Sequence, residues 1–163
     1  MANYDEFITE QRKRREELIN SYRAEQEEEP TTFEYFPIST DWRVKVTDFK
    51  TRKPKPAMAD YKTTFVRIGN IRFTLKGQGE KFDLVQEEGN EEALYIYLKD
   101  GTTGKSTYGL GRFVPVFKEE EEYFVDFNLA ATPACGHVEG AACPWAKEST
   151  TTPIEAGEKA SKH

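Results

Sequence analysis

Apolar residues recur at helical spacing in one stretch of this chain. Tyr4, Phe7 and Ile8, then Leu18, Ile19 and Tyr22, share a face of a helix predicted from Asn3 to about Glu28. Asn3 can cap its start, with Glu6 three residues on as in a capping box. The segment between, Gln11-Arg12-Lys13-Arg14-Arg15-Glu16-Glu17, is polar all round. The amphipathic helix is therefore expected to have two apolar ends and a solvated middle, its basic run paired with its own glutamates at i,i+4. Glu25 and Glu27 to Glu29 crowd the negative end of the helix dipole, which predicts fraying before Pro30.

From Thr32 to Asn128 the period changes to two. Trp42-Arg43-Val44-Lys45-Val46 alternates, as a strand with one wet face does. Tyr61 to Ile68 and Ile71 to Lys76 flank Gly69-Asn70, a hairpin signal. Gly77-Gln78-Gly79 turns the chain into Phe82 to Gln86, and Gly89-Asn90 marks another turn. Ala93 to Leu98 is nearly continuous apolar and reads as a strand covered on both faces. Phe113 to Phe117 and Tyr123 to Phe127 flank the acidic tip Lys118 to Glu122. Lys53-Pro54-Lys55-Pro56 is expected to be a loop, because proline cannot donate to a ladder. The expected fold is mainly β: an antiparallel sandwich or barrel of about eight short strands with one N-terminal helix. Residues 1–163 form one domain: helix 3–28, β core 32–128, then a cysteine loop and polar tail over 129–163 whose last ten or so residues are expected to be loosely ordered.

Composition narrows the function classes. Eight Tyr and eleven Phe suit pleated, half-buried surfaces. The net charge of −6, from 29 acidic and 23 basic residues, is opposite to that of a backbone-tracking nucleic-acid binder, so no nucleic-acid partner is expected. No apolar run approaches the roughly 18 residues of a membrane span, and the N-terminus has no signal-peptide pattern, so a cytoplasmic protein is expected, without a membrane partner. The closing Ser161-Lys162-His163 has His where a peroxisomal tripeptide has Leu and is read as chance.

Several motifs fail on inspection. Gly101 to Ser106 ends like a phosphate-binding loop, but Lys99 stands where the first glycine belongs and strand-forming Thr107-Tyr108 follow. Gly109-Leu110-Gly111 lacks the third glycine and helix of a dinucleotide site. No cofactor is implied.

What remains is Thr107 to Trp145. Gly109 and Gly111 are structural candidates that permit a bulge or close backbone approach beside Tyr108 and Arg112. Asp126 and Asn128 share a strand face. Pairing Phe117 with Tyr123 would set Asp126 opposite Val114 and Arg112 opposite Asn128, an Arg–Asp–Asn network at one end of the sheet. There Arg112 could grip a carboxylate or phosphate, or simply tie to Asp126. The loop closing on Cys143-Pro144-Trp145 leaves four readings open. Cys135 and Cys143, with seven residues between them, could bridge, for roughly 2–3 kcal/mol. They could stay buried thiols in a reducing cytoplasm. With His137 they could supply three zinc ligands, or a thiolate paired with His137 could be a nucleophile.

Asp100-x-Thr102-x-Gly104-x-x-Thr107-Tyr108-Gly109-x-Gly111-Arg112, Asp126-Phe127-Asn128, Pro133-x-Cys135, Cys143-Pro144 and Ala156-Gly157-Glu158 together resemble the domain of unknown function 1684 family. Gly69-x-x-Arg72-Phe73-x-Leu75-x-Gly77 resembles its preceding strand. Thr132 departs from the family's Asn, and Ala146-Lys147 from a proline-rich segment. The resemblance implies a compact, β-rich intracellular protein of bacterial or archaeal type and no known reaction. The leading expectation is a barrel or sandwich that binds a small anionic ligand through Tyr108, Arg112, Asp126 and Asn128. One alternative is a hydrolase-like enzyme using Asp126 or Glu158 as acid/base. Another makes the motif a packing device and the helix ends an interaction surface, for instance in a homodimer.

Overall fold

A computed structural model describes residues 2–144 and 146–161 of the chain, so Trp145 and the end of the Ser161-Lys162-His163 tripeptide lie outside the described residues. One helix, α1 (Ala2–Glu25), packs on a barrel of β1 (Arg43–Asp60), β2 (Thr63–Leu75), β3 (Gln78–Glu87), β4 (Leu94–Leu98), β5 (Arg112–Glu119) and β6 (Glu122–Asp126). All neighbours are antiparallel, and β6 closes the barrel on the start of β1 through Arg43↔Asp126 to Lys45↔Phe124.

Six strands stand where about eight were expected, because two breaks are absent. Lys53 to Pro56 lies inside β1, not in a loop. Beyond Lys45 no described strand pairs with the second edge of β1, so the missing proline N–H groups cost no ladder bond there. Exposed lysines, prolines and the register shift between Thr51 and Lys55 are features that discourage pairing with a foreign strand at such an edge. Gly69-Asn70 lies inside β2 and is not a hairpin. A Cβ at Gly69 would overlap the carbonyl oxygen of Lys50, so the glycine serves close strand approach beside a register shift. The tight connections are two residues long at Tyr61-Lys62, Lys76-Gly77 and Glu120-Glu121. At the second, both residues have positive φ (49° and 81°), as a type I′ turn requires.

The helix begins before Asn3, which is therefore not its cap, and ends at Glu25. Glu27 takes φ 60°, and the bonds Glu27 N–H to Ala24 O and Glu28 N–H to Arg23 O close a Schellman turn. Arg23 secures this end by donating to Glu29 O and His137 O and by pairing with Glu28, so the predicted fraying is absent. The apolar ends of the helix meet the barrel. Phe7 lies against Phe117, Tyr22 against Tyr61, and Ile8 and Ile19 are fully buried.

Alternation sends Ile71, Phe73, Phe82, Leu84, Ile96, Leu98, Val114, Val116 and Val125 into the barrel, with Trp42 and Phe127 in the same cluster. Phe65, Tyr97 and Phe113 form a second buried cluster, with Tyr95 packed against it. The predicted double cover of the Ala93 to Leu98 segment is thus found.

Barrel closure needs the tail. β3 and β4 pair only at Val85↔Tyr95 and Gln86↔Leu94. Segment 148–150 fills the remaining seam. Lys99 N–H donates to Glu148 O, Thr150 N–H to Lys99 O, Asp83 N–H to the Glu148 carboxylate, and the Thr150 hydroxyl to Glu80. Ile154 and Ala156 then enter the core, so this part of the predicted loose tail is structural.

The Gly69→Ala variant is expected to lose more than about 3 kcal/mol of stability in urea unfolding, since backbone must move to admit the methyl. Gly79→Ala, which meets open space, should change stability by less than about 0.5 kcal/mol.

Candidate functional site

The family-like block Asp100 to Arg112 builds a clamp. Arg112 opens β5 and is 3% exposed. Its Nη1 donates to Ala156 O (2.6 Å) and Glu158 O (3.2 Å), and its Nη2 to Ile154 O (3.0 Å). Asp100 faces it at 3.6 Å and accepts Ile154 N–H (2.6 Å) and the Thr102 and Thr103 hydroxyls. Thr102 bonds in turn with Thr107 at 2.9 Å. Burial pulls the Arg112 pKa below its ordinary value, and the charges of Asp100 and Glu158 oppose that pull. Gly111 takes φ 101°, and a Cβ there would lie 2.8 Å from Leu98 O. The Tyr108 hydroxyl sits 3.2 Å from Cys143 Sγ.

Asp126 and Asn128 belong to a different network. Tyr4 donates to Asp126 Oδ2 (2.7 Å), and Asn128 Nδ2 donates to Tyr4 Oη (2.8 Å) and Ser39 O (2.8 Å). Arg12 donates to Asn128 O at 3.0 Å. Burial raises the Asp126 pKa, with the bonds from Tyr4 and Asn128 working against it. No bond joins this set to Arg112, so the expected Arg–Asp–Asn network is not formed. The register explains the difference. Phe117 pairs with Phe124, one residue from the expected partner. After Asp126 the chain enters a 3-10 turn, Phe127–Leu129, and Ala131 comes to lie opposite Phe113.

The cysteine loop forms the third network. Cys135 and Cys143 are joined in a disulfide, so neither sulfur presents a thiolate to a metal or substrate. Among the described residues no His, Cys, Asp and Glu cluster could hold a metal ion. Asp60 accepts Ala134 N–H (2.8 Å) and Cys135 N–H (3.1 Å) and so fixes the loop. His137 is buried with Nε2 2.5 Å from Glu158 Oε2, and Glu158 Oε1 accepts Thr132 N–H. The Thr132 hydroxyl is buried without a partner.

Beside these networks lies a groove of about 460 Å³ between α1 and the barrel. Phe65, Tyr95 and Phe113 line one wall, Arg12, Arg15 and Leu18 the helical wall, and Asn128, Glu158 and Asp60 are also among its lining residues. Of the predicted ligand residues only Asn128 reaches it. Arg12 is held over the Tyr35 ring at 4.2 Å. Arg15 makes one hydrogen bond, to Thr132 O (2.9 Å), and its Nε is buried without a partner. Arg14 alone shows the expected i,i+4 pairing, with exposed Glu10. The sequence carried a signal for the others. Ile8, Arg12, Arg15 and Ile19 continue one stripe at spacings of four, three and four, which places both arginines on the barrel face. Asp60 had no such signal, because its role depends on a loop more than 70 residues away.

The family described as "Protein of unknown function (DUF1684)" matches residues 29–159. The chain belongs to that family. The match spans all three networks except the contributions of α1. No curated protein matches the chain. The solution structure of an uncharacterised protein from Haloarcula marismortui is similar, with a TM-score of 0.71 at 21% identity, covering 98% of this chain and 97% of that one. That likeness shows a shared fold.

Asp126 gives a pH test. Its raised folded pKa favours the folded state below its unfolded pKa, near 3.9, and that contribution is lost as pH rises through the folded value. The stability of Asp126→Asn relative to the unsubstituted protein should therefore rise with pH across this window, measured by urea unfolding at several pH values. A difference independent of pH would contradict the assignment.

Proposed function

We propose that this DUF1684 protein is a small-molecule-binding module that takes an amphipathic anion in the groove between α1 and the barrel. The observation that carries the reading is Arg15, a cation on the wall of an aromatic-lined groove with its buried Nε unpartnered. A buried N–H donor left unpaired is costly, and an anion offers compensation. The groove volume falls in the range of small-molecule sites, about 300–1,000 Å³.

This moves the anionic subsite from Arg112 to Arg15. The Arg112 side chain is enclosed by carbonyls and Asp100, whereas Arg15 retains free donors. Binding also fits the groove better than acid/base catalysis. Glu158 lines it, but one oxygen accepts from Thr132 and the other is held by His137. Asp126, under Tyr4 and Asn128, does not line it.

Calorimetric titration with 8-anilinonaphthalene-1-sulfonate should show saturable 1:1 binding, weakened about tenfold or more in Arg15→Gln, as expected for loss of a charge-assisted hydrogen bond. No saturable binding, or binding unchanged in the variant, would contradict the proposal.

A further inference from the structure

The walls of the groove carry a more specific message about the ligand, one that rests on the binding reading above. Phe65 and Phe113 are stacked, with ring centroids 4.9 Å apart and planes 25° apart. Tyr95 meets each edge-on, at 5.8 and 5.9 Å. Tyr97 backs Phe113 at 4.4 Å. Rings that brace one another in this way form a stiff surface. Such a surface suits another flat π-system through stacked or edge-to-face contact. A flexible alkyl chain gains less from it and loses more conformational entropy on binding.

The cation sits close to these rings. Arg15 is tied to Thr132 O, one residue beyond Ala131, whose backbone N–H and C=O both bond Phe113. Its charge also reaches Tyr95: burial raises the phenol's pKa, and Arg15 opposes the rise. Cation and aromatic wall therefore line the same part of the groove, and a ligand that touches both carries an anion and a ring. Guanidinium geometry favours a planar oxyanion such as carboxylate, and the guanidinium plane can itself stack on a ring. Of the other lining carboxylates, Glu87 and Glu92 stand on the strand side, where the Glu87 charge adds to the rise of the Tyr95 pKa, opposite the cations Arg12, Arg14 and Arg15 of the helical wall. Both Asp60 oxygens accept loop amides, and both Glu158 oxygens are engaged.

We propose that the groove selects aromatic carboxylates over fatty acids of similar size. Arg15 holds the carboxylate, and Tyr95, braced edge-on by the nearly buried Phe65 and Phe113, meets the ring.

The test is calorimetric titration of the full chain with 2-naphthoate, decanoate and 2-naphthalenemethanol, for the unsubstituted protein and for Arg15→Gln. The expected result is that 2-naphthoate binds at least tenfold more tightly than either other probe. Arg15→Gln should erase its advantage over the alcohol while thermal unfolding shows the variant still folded. Arg15→Lys, which keeps charge but not the fork, should recover only part of it. Decanoate binding as tightly as 2-naphthoate would overturn the ligand class and leave the groove reading standing. Equal binding of acid and alcohol by the unsubstituted protein would overturn the role given to Arg15. Failure of all three probes, together with 8-anilinonaphthalene-1-sulfonate, would overturn the groove as a binding site.

Discussion

The buried guanidinium of Arg112 organises one end of this molecule. An irregular segment that enters a core brings carbonyl groups that no ladder satisfies, and each would be costly if left unpaired. Arg112 gathers the carbonyls of Ile154, Ala156 and Glu158, and Asp100 balances its charge while accepting the Ile154 amide. The segment is thereby fixed at alternate residues. Gly157, at φ 77°, lets it pass where a Cβ would lie 2.7 Å from Ala130 Cβ and Ala130 O. On the segment's other side Phe36 N–H donates to Gly157 O and Lys159 N–H to Glu34 O. Glu158 is then presented to His137 and Thr132, which links the clamp to the cysteine loop.

Helix α1 docks by the same chemistry. Arg12 donates to Phe36 O and Asn128 O, Arg15 to Thr132 O, and Arg23 to Glu29 O and His137 O. A helix whose middle carries few apolar residues is thus held by guanidinium–carbonyl bonds between two apolar ends. Arg112 and Arg23 are nearly enclosed, and Arg12 makes three carbonyl bonds. Arg15 makes one and faces the groove, which is why the ligand reading rests on it.

Much of the barrel was legible in the sequence because period-two alternation survives in the strands and the acidic tip marks a true hairpin. Gly69 and the Pro54–Pro56 pair misled for a shared reason. Residues that make turns are also the residues tolerated at close strand contacts and at unpaired edges, and only the partner strand tells the cases apart. The block from Asp100 to Arg112 was legible as a unit but not its purpose. Its partners lie 42 to 46 residues beyond Arg112, in a tail whose polar composition suggested looseness. A one-residue register offset and the turn after Asp126 then separated Asn128 from Arg112. The Arg12–Arg15 stripe was visible in the helix phase, yet the polarity of its neighbours pointed to solvent.

The role of Arg112 is tested by native-state amide hydrogen exchange on Arg112→Met, alongside urea unfolding. A loss of about 3–5 kcal/mol is expected, because three carbonyls and Asp100 are left without their cation. Protection should also collapse at the amides of Glu158, Lys159 and Ala160, which in the unsubstituted protein bond Ala130 O, Glu34 O and Ser106 O. Unaltered stability and protection, combined with loss of 8-anilinonaphthalene-1-sulfonate binding, would contradict that role and make Arg112 a ligand anchor.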